Sequence, residues 1–463
     1  MRLYDTLSGQ KEEFEPLNRE VRIYVCGPNL YGPSHLGHAL SYVFFDTLRR
    51  YLEFQGNQVR HVQNFTDIED RIIELSQQEG RSIVELSDHY IDRFLAEMDA
   101  LGIQRAHHYP RATENIDQMI AIIKALLTNG HAYANGGDVY FRIRSFPEYG
   151  KLSNRPIEEM EAGARIEIDP NKEDPLDFVL WKAAKPREPS WESPWGLGRP
   201  GWHIECTAMS ISLLGEQLDI HGGGQDVVFP HHENEIAQSE AYTGKSPFAR
   251  FWVHNGLLHA TATDEEKMTR HQGNFISCEE ALAKHHPDAL RLFLLSSHYR
   301  SPLAYSTEGI VAQERALERL RRAIEPARIP MMVAANTQMD ASEIKERFIA
   351  AMDDDVNTPQ ALAALFDLGH EINRAKEQGI DVKTAQLTLV ELANVLGLRL
   401  HRETQIDNQL ASPLIDMLIQ IREELRSIKQ YAIADRIRHQ MHDLGIDLED
   451  TPDSTKWHHR SIP

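Results

Sequence analysis

The sequence predicts an α/β protein: a parallel sheet split by a long insertion, then an all-α part and a small C-terminal module. Three observations carry that prediction. Val21 to Cys26 (VRIYVC) alternates as a strand does, breaks at Gly27-Pro28, and is followed by a helical run. The strand-and-loop pattern returns far downstream in LDIHGGGQD and FWVHNGLL. From Glu308 onward the pattern is almost wholly helical.

Taken in order, Ser34 is the expected N-cap of a helix whose apolar positions Leu36, Leu40, Phe44, Leu48 and Leu52 recur every four residues until Gly56 stops it. A second strand follows around Gln58 to Val62. Strands alternating with helices imply a parallel sheet, with ligands collecting at the carboxyl ends of its strands. The stretch after 114 is less regular and ends in the connector KPREPSWESPWGLGRPG. EEALAKHHPDALRLFLLS reads as one helical stretch. The resulting divisions are a sheet domain in two halves (1–114 and 196–275), a connective insertion (115–195), a stem-contact region (276–330), a helical domain (340–402) and a C-terminal module (412–463).

At 463 residues, several domains are expected. No apolar run approaches the roughly 18 to 20 residues that cross a bilayer, and the opening MRLYDTLSGQ is polar, so a cytoplasmic protein away from membranes is expected. The three cysteines, Cys26, Cys206 and Cys278, argue against a disulfide scaffold. A net charge of −21 argues against a broadly basic nucleic-acid surface but allows a local one. Between Gln420 and Gln440, five basic residues face three acidic ones, a pattern that also suits an ordinary solvated helix.

Three groups of residues point to chemistry. His35-Leu36-Gly37-His38 begins a helix directly after the first strand, where backbone N–H groups favour phosphate and Gly37 allows close approach. Taken alone, two histidines at a helix start are as readily polar surface. EEKMTRHQGNF places Lys267 and Arg270 in a glycine-containing loop, suited to a phosphoryl site that needs positioning and positive charge; alone it is an exposed charged loop. Cys26, Cys206, His231 and Glu235 are four ligands of the types that bind zinc, the last two spaced to share a helix face that Pro230 helps start. The plainer alternative is two buried cysteines and an unrelated helix.

In this order the segments resemble the cysteinyl-tRNA synthetase family of class I aminoacyl-tRNA synthetases. The resemblance runs through YVCGPNLYGPSHLGHA, QNFTDIEDRII, GWHIECTAMS, IHGGGQDVVFPHHENEIAQSEA, EEKMTRHQGNF and ADRIRHQMHDLGIDLEDTPDSTKW. It implies a Rossmann-like catalytic domain with an inserted connective domain, an all-α tRNA-binding domain and an anticodon-recognition module. It implies that ATP, with Mg²⁺, meets His35, Gly37, His38, Asp226, Lys267 and Arg270, and that one Zn²⁺ held by Cys26, Cys206, His231 and Glu235 takes the thiolate of substrate cysteine. Thr66 and Trp202 would line the cysteine pocket, while Asp435, Arg436, Asp450 and Trp457 would read the anticodon of tRNA(Cys). A monomer is expected.

The family's KMSKS signature is here Lys267-Met268-Thr269-Arg270-His271, which exchanges a compact ammonium for a planar fork. Two rival readings remain at this stage. A cysteine ligase of the mycothiol pathway lacks the small module that Ala434 to Trp457 resembles. A degenerate synthetase kept as an RNA-binding or regulatory protein has only the altered loop in its favour. Cys278 reads as a small core residue or a reactive thiol.

Overall fold

The computed structural model describes residues 1–163, 170–259, 275–326, 338–401, 408–443, 446–450 and 455–459. It divides into two compact units, Met1–Leu400 and His401–Pro463.

The first unit is organised around a four-stranded parallel sheet ordered Ala249–Asn255, Leu218–Gly224, Glu20–Val25, Gln58–Gln63. Glu20–Val25 passes through the helix Leu36–Phe54 to its neighbour Gln58–Gln63 on one side, while Leu218–Gly224 joins it on the other. The strand order therefore reverses between Glu20–Val25 and Leu218–Gly224, which opens a crevice at their carboxyl ends. Cys26 and Gly224 flank that crevice. The helix Leu36–Phe54 buries Leu36, Leu40, Val43, Phe44, Leu48 and Leu52, a stripe at three- and four-residue spacing. Truncating one such leucine to alanine costs about 2–5 kcal/mol.

The N-cap of this helix is His35 rather than Ser34. His35 has extended backbone (φ −120°, ψ 165°) and its ring accepts from the His38 N–H, while His38 reaches back to the His35 N–H. A ring nitrogen here fills the role usually given to a serine oxygen.

The insertion is more regular than its sequence suggests. A helix, Ile116–Thr128, leads into a four-stranded antiparallel sheet of Ala132–Asn135, Asp138–Phe141, Phe178–Ala183 and Gly198–Pro200, whose last strand lies beyond the expected end at 195. Gly136 and Gly137, both at positive φ (+65° and +91°), make the two-residue hairpin turn. The presumed single helix after 278 is two, Cys278–Lys284 and Pro287–Leu294, because Pro287 can open a helix but not continue one. Cys278 is fully buried. Four helices, Thr307–Ile324, Ser342–Asp353, Thr358–Glu377 and Lys383–Val395, complete the unit. Arg291, wholly buried, ties Pro287–Leu294 to Asp46 of the cleft helix and to the Leu396 carbonyl.

The second unit holds helices Asn408–Ser427 and Tyr431–Asp443 and the hairpin Ile446–Asp450/Thr455–His459, so the C-terminal module is not wholly helical. Its core is small: Ile415, Ile419, Met441 and Leu448. Among the described residues, no helix is long and apolar enough to cross a membrane.

Candidate active site

A cleft of ≈ 330 Å³ lies where the strand order reverses, and its lining includes Cys26, His35, Gly37, His38, Thr66, Trp202, Cys206, Asp226 and His231. Residues separated by two hundred positions thus share one cavity. Lys267 and Arg270 lie outside the described residues. The chain on either side of them is at the cleft: Leu258 lines it, and the Leu36 N–H donates to the Ile276 carbonyl.

The floor is assembled from three segments. Cys26 ends its strand with its N–H on the Gly222 carbonyl. Gly27 follows with its N–H on Asn64 Oδ1, and a Cβ at Gly27 would come within 1.5 Å of the Asn64 carbonyl oxygen, so no other residue fits. Cys206 sits on the helix Trp202–Leu214. His231 closes the turn Val228–His232, and Glu235 lies in the first turn of Glu233–Thr243.

The donor atoms of Cys26, Cys206, His231 and Glu235 all lie within 4.8 Å of one another. A tetrahedral ion with zinc–sulfur bonds of about 2.3 Å sets two sulfurs about 3.8 Å apart. Cys26 Sγ and Cys206 Sγ are 3.8 Å apart. Glu235 Oε1 is 3.0 Å from His231 Nε2 and 3.7 Å from Cys26 Sγ, again edges of a tetrahedron of that size. The other ring nitrogen of His231 is held by His203 Nδ1 at 3.0 Å, the outer-shell support a metal-binding imidazole usually has.

A second set, Cys26, His221, His232 and Glu235, also converges within 4.8 Å. The two sets differ in access. Cys26, Cys206 and His231 line the cleft, whereas His221 and His232 lie behind them, fully buried. A metal that must leave one position open to a substrate belongs to the first set. His232 instead joins a buried chain: its Nε2 is 3.1 Å from Cys26 Sγ, its Nδ1 2.7 Å from His254 Nε2, and His254 Nδ1 2.8 Å from Thr6 Oγ1.

Electrostatics suit a cation. Burial opposes charge on Glu235, yet His221 and His231 outweigh it and hold the carboxyl well below its usual range. Burial likewise opposes ionising Cys206, but the hydrogen bond from Cys26 and the neighbouring His231 bring that thiol down to about 6. Burial disfavours a charged His231, but Glu235 and Cys206 raise its pKa to about 10. The cluster gathers negative groups in a dry volume and draws a positive charge to them.

At the rim, His35 and His38 stack with ring centroids 3.8 Å apart, each Nδ1 accepting the other's backbone N–H at 3.2–3.3 Å. With Nδ1 committed as acceptor, each neutral ring carries its proton on Nε2 and donates from that edge. Gly37 keeps the rim open, since a Cβ there would stand 2.9 Å from His35 Nδ1. Thr66 is buried, with Asn64 Nδ2 donating to its hydroxyl at 3.3 Å. Trp202 stacks on His231 at 4.3 Å. Asp226 stands in the short turn Gln225–Val227.

Sequence reasoning missed Asn64, Tyr31 and Arg71 in the cleft, and His203, His221, His232 and His254 behind it. Asn64 sits two residues from Thr66 and His232 directly follows His231, but spacing alone gives neither a place at the site. Arg71 donates to the Tyr31 hydroxyl at 3.1 Å and caps that ring.

The predicted anticodon residues fall in the second unit, away from this cleft in sequence. Asp435 and Arg436 are exposed on Tyr431–Asp443, and Asp450 ends a hairpin strand. Trp457 pairs with Leu448 across the hairpin, packs on the small core and donates to Asp416 at 3.2 Å, so it has structural work of its own.

Comparison with known proteins gives one answer along the whole chain. Residues 13–315 match the catalytic domain of the class I (C) tRNA synthetases, and residues 347–401 match the DALR domain. A cysteine–tRNA ligase of Dehalococcoides mccartyi is 50% identical over 458 residues, covering 99% of each chain. That of Moorella thermoacetica is 48% identical over 477 residues, again covering 99% of each. Among solved structures, a methionyl-tRNA synthetase of Mycobacterium tuberculosis shares the fold at 15% identity, with a TM-score of 0.59 over 82% of this chain and 90% of that one. Strand order, cleft and these matches agree: the chain belongs to the cysteine–tRNA ligase family of class I tRNA synthetases.

Proposed function

We propose that the chain activates L-cysteine with ATP, releasing pyrophosphate, and transfers the cysteinyl group to the 3′ end of tRNA(Cys). In this reading Zn²⁺ is held by Cys26, Cys206, His231 and Glu235, Mg²⁺ accompanies ATP, and the protein works as a monomer in a reducing compartment, consistent with its three free cysteines. One observation carries the reading: a four-donor cluster forms the floor of the cleft whose rim presents His35 and His38. The 99% coverage of full-length relatives, C-terminal unit included, supports a synthetase over an amino-sugar ligase.

When bound, zinc would supply a soft acceptor that takes a thiolate in preference to a serine hydroxyl. The remaining work belongs to the chain. Thr66 and Trp202 shape the pocket around the substrate's short side chain. A carboxylate oxygen of cysteine attacks the α-phosphorus in line as the bond to pyrophosphate breaks, and no enzyme nucleophile is required. The Nε2–H groups of His35 and His38 donate to phosphate oxygens that gain charge in that step, and Lys267 and Arg270 add positive charge. In the second step a terminal tRNA hydroxyl attacks the acyl carbon, loses its proton and displaces AMP.

The test is cysteine-dependent ATP–pyrophosphate exchange on zinc-loaded protein, followed by charging of cysteine tRNA in the same preparation. Both are expected. Exchange without charging would favour a ligase acting on another acceptor, and absence of exchange would overturn the proposal.

A further inference from the structure

The donor set Cys26, His221, His232 and Glu235 has no task in the reading above, yet it is as complete as the first. From Cys26 Sγ to His232 Nε2 is 3.1 Å, to His221 Nε2 3.9 Å and to Glu235 Oε1 3.7 Å, and from His221 Nε2 to Glu235 Oε2 is 3.3 Å. A tetrahedral zinc ion with one sulfur and three nitrogen or oxygen ligands sets its donors about 3.3 to 3.6 Å apart, inside that spread. His232 also has outer-shell support: its other ring nitrogen meets His254 Nε2 at 2.7 Å, much as His231 meets His203.

Both sets draw on Cys26 and Glu235. One ion can therefore pass between them by exchanging Cys206 and His231 for His221 and His232 while two bonds stay in place. Glu235 is placed for that exchange, with Oε1 3.0 Å from His231 Nε2 and Oε2 3.3 Å from His221 Nε2, one oxygen toward each set. What differs is access. Cys206 and His231 line the cleft, whereas His221 and His232 are wholly buried and do not.

The proposed substrate gives a reason for a second place. Cysteine carries its thiolate and its amine on adjacent carbons, and the pair can close a five-membered ring on a metal ion, so the amino acid this cleft admits is itself a chelator. Each encounter pulls the ion toward solvent against Cys206 and His231. Donors that no molecule in the cleft can reach would keep it in the protein. We infer that Cys26, His221, His232 and Glu235 form a closed inner seat for the ion, taken when Cys206 or His231 gives up its bond, and that this seat retains the ion against the chelating substrate. The inference rests on the zinc assignment above. Wild type that binds no ion would fail that assignment, whereas the outcomes below fail only the inner seat.

The experiment loads wild type, His231→Ala, His221→Phe and the double variant with cobalt(II), whose thiolate absorption band grows with the number of sulfur ligands. Phenylalanine keeps a ring against Trp252, on which His221 stacks at 4.4 Å. Wild type and His221→Phe should each hold one ion with the band of two sulfurs. His231→Ala should still hold one ion, but with the band of one sulfur and no response to added cysteine. The double variant should hold none after dialysis against a chelator. His231→Ala combined with His232→Phe, on a different segment, should repeat that loss and decides the matter if the first double variant folds poorly. A two-sulfur band in His231→Ala would leave the ion in the outer set with three donors, and complete loss of the ion there would show an inner set unable to hold it; either overturns the inference. So would two ions per wild-type chain. Retention is read as zinc release into a coloured chelator. His221→Phe should lose zinc about tenfold faster than wild type in excess cysteine, and within about twofold of wild type without it. Equal acceleration in both conditions would mean a loosened floor and overturn the retaining role.

Discussion

The cleft and the C-terminal unit are built on opposite plans. The cleft floor joins positions 26, 206, 231 and 235, and every polar group there is held inside a core that runs through most of residues 1–400. The C-terminal unit is one continuous stretch whose core is four side chains with Ile437, Ile446 and Trp457 packed on them. Chemistry that needs dry, fixed donors is placed where many segments converge, since only a large core can hold buried polar groups in one geometry. Among its described residues the second unit has no such volume and keeps most of its polar side chains on exposed helix faces.

The largest expected effect would break this contrast at the floor. Cys206→Ser should lower bound zinc, read by elemental analysis, and reduce cysteine-dependent exchange by at least about 100-fold, because even outer-shell changes cost about 10- to 100-fold at metal sites. Zinc content and exchange that both stay unchanged would remove the metal assignment. Truncation after Leu400 sharpens the contrast from the other side. Charging should fall at least about tenfold while exchange stays within about threefold, as expected if the two units carry different steps. Parallel loss of both would make the contrast false.

Acid should separate the units more gently. His61 is fully buried and held down to about 3, first by burial and then by Arg49. The unfolded chain takes up this proton below about 6.5 and the folded one only near 3, so its stabilising contribution is complete above about 6.5 and is lost as pH falls toward 3. By pH 5 the loss is about 2 kcal/mol. The first unit should therefore lose stability on mild acidification, as followed by denaturant titration with His61→Phe as the control. The smallest effect is expected for Trp457→Phe, which keeps an aromatic ring on the core but drops the bond to Asp416. Stability of the second unit should fall by about 1 kcal/mol, with exchange unaffected.

Much of the first unit was legible in the sequence because its signals are local. VRIYVC, the leucine spacing after His35 and the glycine-bounded strand at 218 each declare an element by periodicity. The helix start was misplaced by one residue because histidine is a rare cap, and only the three-dimensional exchange between His35 and His38 reveals it. The insertion's sheet was illegible because strands of three to six residues, buried on alternating or both faces, show almost no period. The four donor residues at the floor could be named by residue type, and the structure brings them together. His232 and His254 could not, since nothing in linear spacing says which of two adjacent histidines faces a cavity and which a neighbouring ring. The lysine loop falls outside the described residues, so its part remains the one written in sequence.

The close packing at Gly27 also sets limits on redesign. With the Asn64 carbonyl oxygen 1.5 Å from where a Cβ would stand, a saturation library at that codon should return glycine alone, whatever amino acid the pocket is being selected to admit. Enlarging the cleft at Trp202 instead, which is 37% exposed and carries one face of His231, would loosen the floor with each gain in room.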